Sequence, residues 1–225
     1  CYVQVCSAVK HLATEALMVK AKTAIAAASA NSSPTESVRD RILATARELF
    51  YREGVRGVGV DTVVAQSGVA KTSLYRWFPS KDLLIASVVE EEAKARWAAW
   101  DRMAERCADL SPRERIRAHM TSVVKFVNRP EYRGCPFMNV SAELPDPQHP
   151  ARLVTLEVTQ ELRRGIRKLV DDVEGVRNAE ELADQLVLLV DGALSVSLCL
   201  GPDGPQKFLV NAADAIIDAQ LKTAG

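Results

Sequence analysis

Apolar residues recur every three or four positions through most of the chain, the period of helices that bury one face. Val38, Ile42, Ala46, Leu49 and Phe50 fall along one side of such a helix, with Arg39, Arg41, Arg47 and Arg52 mostly off it. Ser33, Pro34 and Glu36 offer a capping-box start, and Gly54 a glycine stop. Gly57, Gly59 and Asp61 open a second, short helix that carries Val60, Val63 and Val64 and ends at Ser67-Gly68. A third runs from Ala70 to Phe78, where Pro79 stops it. The pattern then lengthens into a helix from Lys81 to about Cys107. Ser111-Pro112-Arg113-Glu114 is a second capping box, opening a helix that reaches about Asn128. Gly134 to Met138 starts a short element, and Pro145, Pro147 and Pro150 force a loop. Further helices are expected over about 151–172, 178–200 and 205–222.

Composition agrees with an all-α fold. Only 11 Gly and 10 Pro stand among 225 residues rich in Ala, Leu, Glu and Arg, which disfavours a sandwich or barrel of many turns. No uninterrupted apolar run approaches the ~18 residues that span a bilayer, so no membrane partner is expected. Cys1, Cys6, Cys107, Cys135 and Cys199 are an odd number without a CxxC pair, which suits free thiols in a reducing cytoplasm better than disulfides or zinc. His119, Cys135 and His149 match no metal signature, and no metal or other cofactor is expected. Residues 1–35 read as a weakly structured or helical N-terminal extension. Lys20 and Lys22 before an Ala-rich run imitate a secretory signal only loosely, because the apolar stretch is too short.

The net charge of zero hides an uneven distribution. Residues 36–81 hold eight basic and five acidic residues, a balance of +3, so the remainder carries −3. On the third helix, Leu74 and Phe78 share one face. Thr72 and Arg76 lie opposite, flanked by Ser73 and Tyr75, with Lys71 at the start. Every outward side chain is a hydrogen-bond donor, as a surface facing phosphates requires. The order of residues is more specific than their charge. Gly68-Val69-Ala70-Lys71-Thr72-Ser73-Leu74-Tyr75-Arg76-Trp77-Phe78-Pro79-Ser80-Lys81-Asp82-Leu83 closely resembles the helix-turn-helix signature of the TetR family of transcriptional regulators, and the likeness extends back through Leu49-Phe50 and Gly54.

The resemblance implies a DNA-binding domain over 36–96, with its helix-turn-helix at about 59–78, and a helical effector-binding and dimerisation domain over 97–225. The third helix would enter the major groove of a double-stranded DNA operator. Lys71, Thr72, Ser73 and Arg76 become the base-reading and backbone-contacting set, and Tyr75 matches the family tyrosine that meets a phosphate. Lys81, at the start of the next helix, would add its ammonium to the free amides there. This chain departs from the family where Val58-Gly59 replaces a hydroxyl cap, leaving Thr62 as a substitute. Trp77 stands in place of a histidine or small polar residue, suited equally to a phosphate or to packing.

The run Leu186 to Val190 is apolar around its whole circumference and should be covered on more than one side. With the apolar face of 205–222 it is expected to form a four-helix homodimer interface, as the resemblance also implies. Two recognition helices would then address half-sites ~34–36 Å apart on a near-palindromic operator. Trp97, Trp100, Met103, His119, Met120, Phe126, Phe137 and Met138 are candidates to line a pocket for an unidentified small-molecule effector, with ordinary core packing the competing reading. Effector binding would favour a conformer in which the long helix from Lys81 tilts and the repressor leaves its operator. Two other readings compete. A small all-helical enzyme would need a GxSxG, HExxH or Walker motif, and none is present, nor is a catalytic constellation. A pure dimerisation module leaves the donor-only face unexplained.

Overall fold

The computed structural model describes residues 37–221. The expected extension at 1–35 and the caps Ser33, Pro34 and Glu36 lie outside the described residues. Nine α-helices are found among the described residues: α1 (Val38–Glu53), α2 (Val60–Ser67), α3 (Lys71–Trp77), α4 (Lys81–Arg106), α5 (Pro112–Val127), α6 (Pro136–Glu143), α7 (Pro150–Asp171), α8 (Ala179–Leu200) and α9 (Leu209–Gln220). The only β-pairing among them is an isolated bridge between Val176 and Leu221.

The described residues divide into two compact units: 37–90 with 140–154, and 91–139 with 155–221. This partition differs from the boundary at 96/97 drawn from sequence. Residues 140–154, which the resemblance places in the second domain, cluster with the first.

In the first unit α1, α2 and α3 pack on one another. Ser37 caps α1 by accepting the Asp40 amide, one turn from the sequence-predicted start. Ile42, Leu43, Ala46, Leu49 and Phe50 form the buried face, whereas Val38, in the first turn, is exposed among the described residues. Gly54 ends the helix at φ +82°, a conformation glycine adopts without a Cβ penalty, and its N–H reaches the Phe50 carbonyl. Gly68, at φ +63°, makes the turn between α2 and α3. Leu74 and Phe78 are 0% and 2% exposed, as the periodicity of α3 requires, and the Arg39 guanidinium lies over the Phe78 ring.

In the second unit α5, α8 and α9 pack against one another. Ile116, Met120, Leu182, Leu186, Ala213 and Ile217 supply buried positions. Both halves of the Ser111/Glu114 capping box are present. Arg113 bonds Asp214 and Asp218 while Arg117 reaches Asp214, a charged clasp between α5 and α9. The last helix begins later than the sequence suggests. Pro202 and Pro205 cannot donate to a helical ladder, and 201–208 instead forms two 3₁₀ turns. The stretch Ala179–Asp203 is, by length and composition alone, long and apolar enough to cross a membrane, although no uninterrupted apolar run of that length exists. Averaging over a whole helix dilutes Asp184 and Asp191, which a run-based reading counts as breaks. Here α8 packs among α5, α9 and the 3₁₀ turns.

Ser87 on α4 is 1% exposed, and its hydroxyl has no hydrogen-bond partner among the described residues. A buried hydroxyl without a partner costs about 1–3 kcal/mol of desolvation. Ser87→Ala is therefore expected to raise the unfolding free energy by roughly 1 kcal/mol, read from urea denaturation. A loss of stability would show that the hydroxyl has a partner in solution.

Candidate nucleic-acid interface

Helix α3 has only seven residues, so its orientation rests on tertiary contacts. Burial of Leu74 and Phe78 fixes its rotation and turns the opposite side outward. Lys71, Thr72, Tyr75 and Arg76 are exposed, Tyr75 at 43%, while Ser73 and Trp77 are half-buried. Thr62 on α2 is exposed and Lys81 at the start of α4 is half-buried. Half-burial of Trp77 suits both packing and indole donation.

Two features depart from the donor-only surface expected from sequence. Lys71 Nζ lies 2.6 Å from Asp61 Oδ1. Hydrogen bonding to Asp61, followed by its charge, raises the Lys71 pKa, so the ammonium stays charged while shared with a carboxylate. Asp61 lies just before residues 62–81, a stretch with no Asp or Glu, and the turn at Gly68 brings the start of α3 beside the start of α2. The second feature is Ser80. Its hydroxyl accepts the Leu83 amide at 3.2 Å, so one of the α4 amides assigned to phosphate is already engaged. Ser-x-x-Leu at a helix start is a readable cap in the sequence.

The candidate effector residues lie in the second unit and do not share one set of neighbours. Trp100 stacks on His119 with ring centroids 4.1 Å apart, and Trp97 meets Trp100 edge-on at 6.1 Å. Gly165 supports this cluster, since a Cβ there would stand 2.9 Å from Trp100 Cζ2. Met120 is buried, and Met103 lies against the Cys107 thiol. Phe126 pairs instead with Tyr132 at 5.4 Å, under the Arg129 guanidinium. Phe137 is buried beneath Arg96, and Met138 is exposed. Beside Phe137, burial pushes the Cys135 thiol up, against amide donation from Met138 and Phe137 and the nearby Arg96 charge. Sequence periodicity cannot separate these groups, because it assigns faces of helices without saying which faces meet. It also gave no sign of a polar groove of about 550 Å³ on α7 and α8, lined by Gln160, Arg163, Arg164, Arg167, Lys168, Glu180, Ala183 and Asp184. Arg163 there is paired with both Glu180 and Asp184. Among the described residues no group of three or more His, Cys, Asp or Glu could hold a metal ion.

A short, exposed, donor-rich helix held over a three-helix core defines a helix-turn-helix DNA-binding domain. Comparison with known proteins gives the same class. Residues 42–88 match the family model for bacterial regulatory proteins of the tetR family, and 112–212 match the tetracyclin repressor-like C-terminal domain. SCO4454, a TetR-family transcriptional regulator from Streptomyces coelicolor, is 27% identical with a TM-score of 0.76, over 82% of this chain and 96% of that one. A putative TetR-type regulator, sav143 from Streptomyces avermitilis, is 33% identical with a TM-score of 0.70, over 82% and 98%. The HTH-type transcriptional regulator LmrA of Bacillus subtilis is 29% identical over 164 residues, 71% of this chain and 86% of that protein. The chain belongs to the TetR family and is a helix-turn-helix transcriptional regulator.

Burial lowers the His119 pKa from 6.5 to about 4. The unfolded chain therefore binds the extra proton in that interval, so this contribution to stability is complete above pH 6.5 and lost as pH falls toward 4. His119→Phe keeps a ring against Trp100 and is expected to flatten the decline of the urea midpoint between about pH 7 and pH 5. Identical pH profiles for the two proteins would contradict the buried neutral imidazole.

Proposed function

We propose that the protein is a homodimeric repressor that reads a near-palindromic operator and is released from it by a small molecule. In this reading α3 lies in the major groove. Lys71, Thr72, Ser73 and Arg76 face the bases and adjoining backbone, while Thr62, Tyr75, Trp77 and Lys81 meet phosphates. The observation that carries the reading is the two-sidedness of α3, with Leu74 and Phe78 sealed inward and every exposed side chain opposite them able to donate. Arg76 suits a bidentate contact to guanine. Lys71 reaches DNA by exchanging its Asp61 partner for a phosphate or base, which makes its contribution smaller than that of an unpaired lysine.

The dimer reading rests on apolar side chains that the single chain leaves uncovered. Leu188 is 70% exposed, Leu198 54%, Leu200 59% and Phe208 57%, all on α8 or the turn that follows it. Large exposed apolar side chains concentrated on one element mark an interaction surface. The partner is a second copy, with α8 and α9 of each subunit forming the interface. The effector is an unidentified apolar compound bound near the Trp100–His119 stack. It and DNA weaken each other's binding by one common factor, of the order of 1–3 kcal/mol. The protein acts by binding in the cytoplasm, without catalysis and without a membrane partner.

Selection of bound duplexes from a random library, followed by fluorescence anisotropy on the selected sequence, tests the DNA-reading part. Arg76→Ala is expected to weaken the selected duplex by about 1–3 kcal/mol and to relax preference at one base pair of each half-site. Failure to enrich any sequence would overturn the reading. Leu188→Glu is expected to shift the protein from dimer to monomer in sedimentation velocity and to lose tight binding to the two-half-site duplex. A dimer that survives this change would place the interface elsewhere.

A further inference from the structure

Residues 140–154 belong to the compact unit that contains α1, α2 and α3, although the residues before and after them in sequence belong to the other unit. At the end of α6, Glu143 Oε2 accepts the backbone N–H of Arg56 at 2.9 Å, across 87 residues of sequence. The same carboxylate covers Gly54, where an added Cβ would stand 2.8 and 2.9 Å from its two oxygens. Gly54 is thus constrained twice, by its positive φ and by Glu143.

The turn so held, Gly54 to Gly59, sets the direction in which α2 leaves α1. It has little else of its own to fix it. Gly59 caps α2 without a side-chain hydrogen bond, and Val55 and Val58 anchor the turn only by burial. The strap of residues 140–154, which presents Glu143, is itself well defined. Arg152 Nη1 donates to the Ser141 and Leu144 carbonyls at 2.6 and 3.2 Å, closing the strap across its proline-rich loop. His149 Nδ1 accepts the Ala151 amide, and its Nε2 lies 3.3 Å from Asp82 Oδ1 at the start of α4.

We infer that Glu143 is a positioning residue for DNA recognition, a carboxylate that fixes the α1–α2 turn and thereby aims α2 and α3. The inference builds on the DNA-reading function above. Its effect is opposite in sign to simple electrostatics. Removing a negative charge from a DNA-binding unit should tighten binding to phosphates, whereas losing the hydrogen bond to Arg56 should weaken binding by loosening the turn. Hydrogen bonds to charged groups are among the stronger ones in proteins.

The test uses the full chain and the duplex chosen by selection. Glu143→Ala is expected to bind about tenfold more weakly, about 1.4 kcal/mol, with faster hydrogen exchange at the Arg56 amide. Glu143→Gln removes the same charge but keeps an acceptor oxygen, and is expected to restore both readouts to near the native values. Arg152→Ala leaves Glu143 in place but releases the strap, and should move affinity and Arg56 exchange in the direction of Glu143→Ala. It serves as the deciding variant if Glu143→Ala does not fold. Native affinity in Glu143→Ala, or equal losses in the Ala and Gln variants, would overturn the inference. A native chain that selects no duplex would instead defeat the DNA-reading function, leaving the exchange measurements to judge the contact.

Discussion

The inward pair Leu74 and Phe78 is the interaction on which the DNA-reading unit depends. Seven residues make two turns, too few for a helix to persist alone in water. Burying two large apolar side chains contributes about 1.5–3 kcal/mol each and, equally important, fixes the helix in rotation. Without that anchorage Arg76 and Tyr75 would have no defined direction. The core of α1, built from Ile42, Ala46, Leu49 and Phe50, therefore acts on function through orientation. The carboxylate of Glu143 extends the same logic to the preceding turn, where burial alone leaves the backbone less determined.

Charge works differently in the two units. Around α3 it is left accessible, with Lys71 held by a single exposed carboxylate that a phosphate can replace. In the second unit many charges are spent on internal pairing. Arg113, Arg117, Asp214 and Asp218 form one network, and Arg163, Glu180 and Asp184 another. Exposed pairs of this kind contribute little stability individually, at most about 1 kcal/mol, but they fix which helix faces meet. The apolar remainder of α8 is then left uncovered in the single chain.

Local signals were read well from the sequence because their causes are local. Gly54 and Gly68 end helices through backbone freedom, the Ser111 capping box needs only four residues, and the period of α3 sorts Leu74 and Phe78 from Thr72 and Arg76. The features that were not legible are products of tertiary juxtaposition. Asp61 meets Lys71 only because the turn at Gly68 sets the start of α3 beside that of α2, and Glu143 meets Arg56 across 87 residues. The candidate effector residues failed to resolve into one group for the same reason, since a helical period marks a face but not its partner. The late start of α9 is a middle case. Pro205 stands where a helix can begin and Phe208 and Leu209 continue the apolar face, yet 201–208 closes as two 3₁₀ turns.

Helix α8 also bears on how the protein folds. Until α5 and α9 dock against it, its 22 residues leave positions such as Ala193 and Leu194, buried in the folded chain, open to water. For that interval the folding chain presents an apolar rod to water. Glu180, Glu181, Asp184 and Asp191 place like charges along that rod, and like charges of this kind oppose self-association of exposed apolar segments.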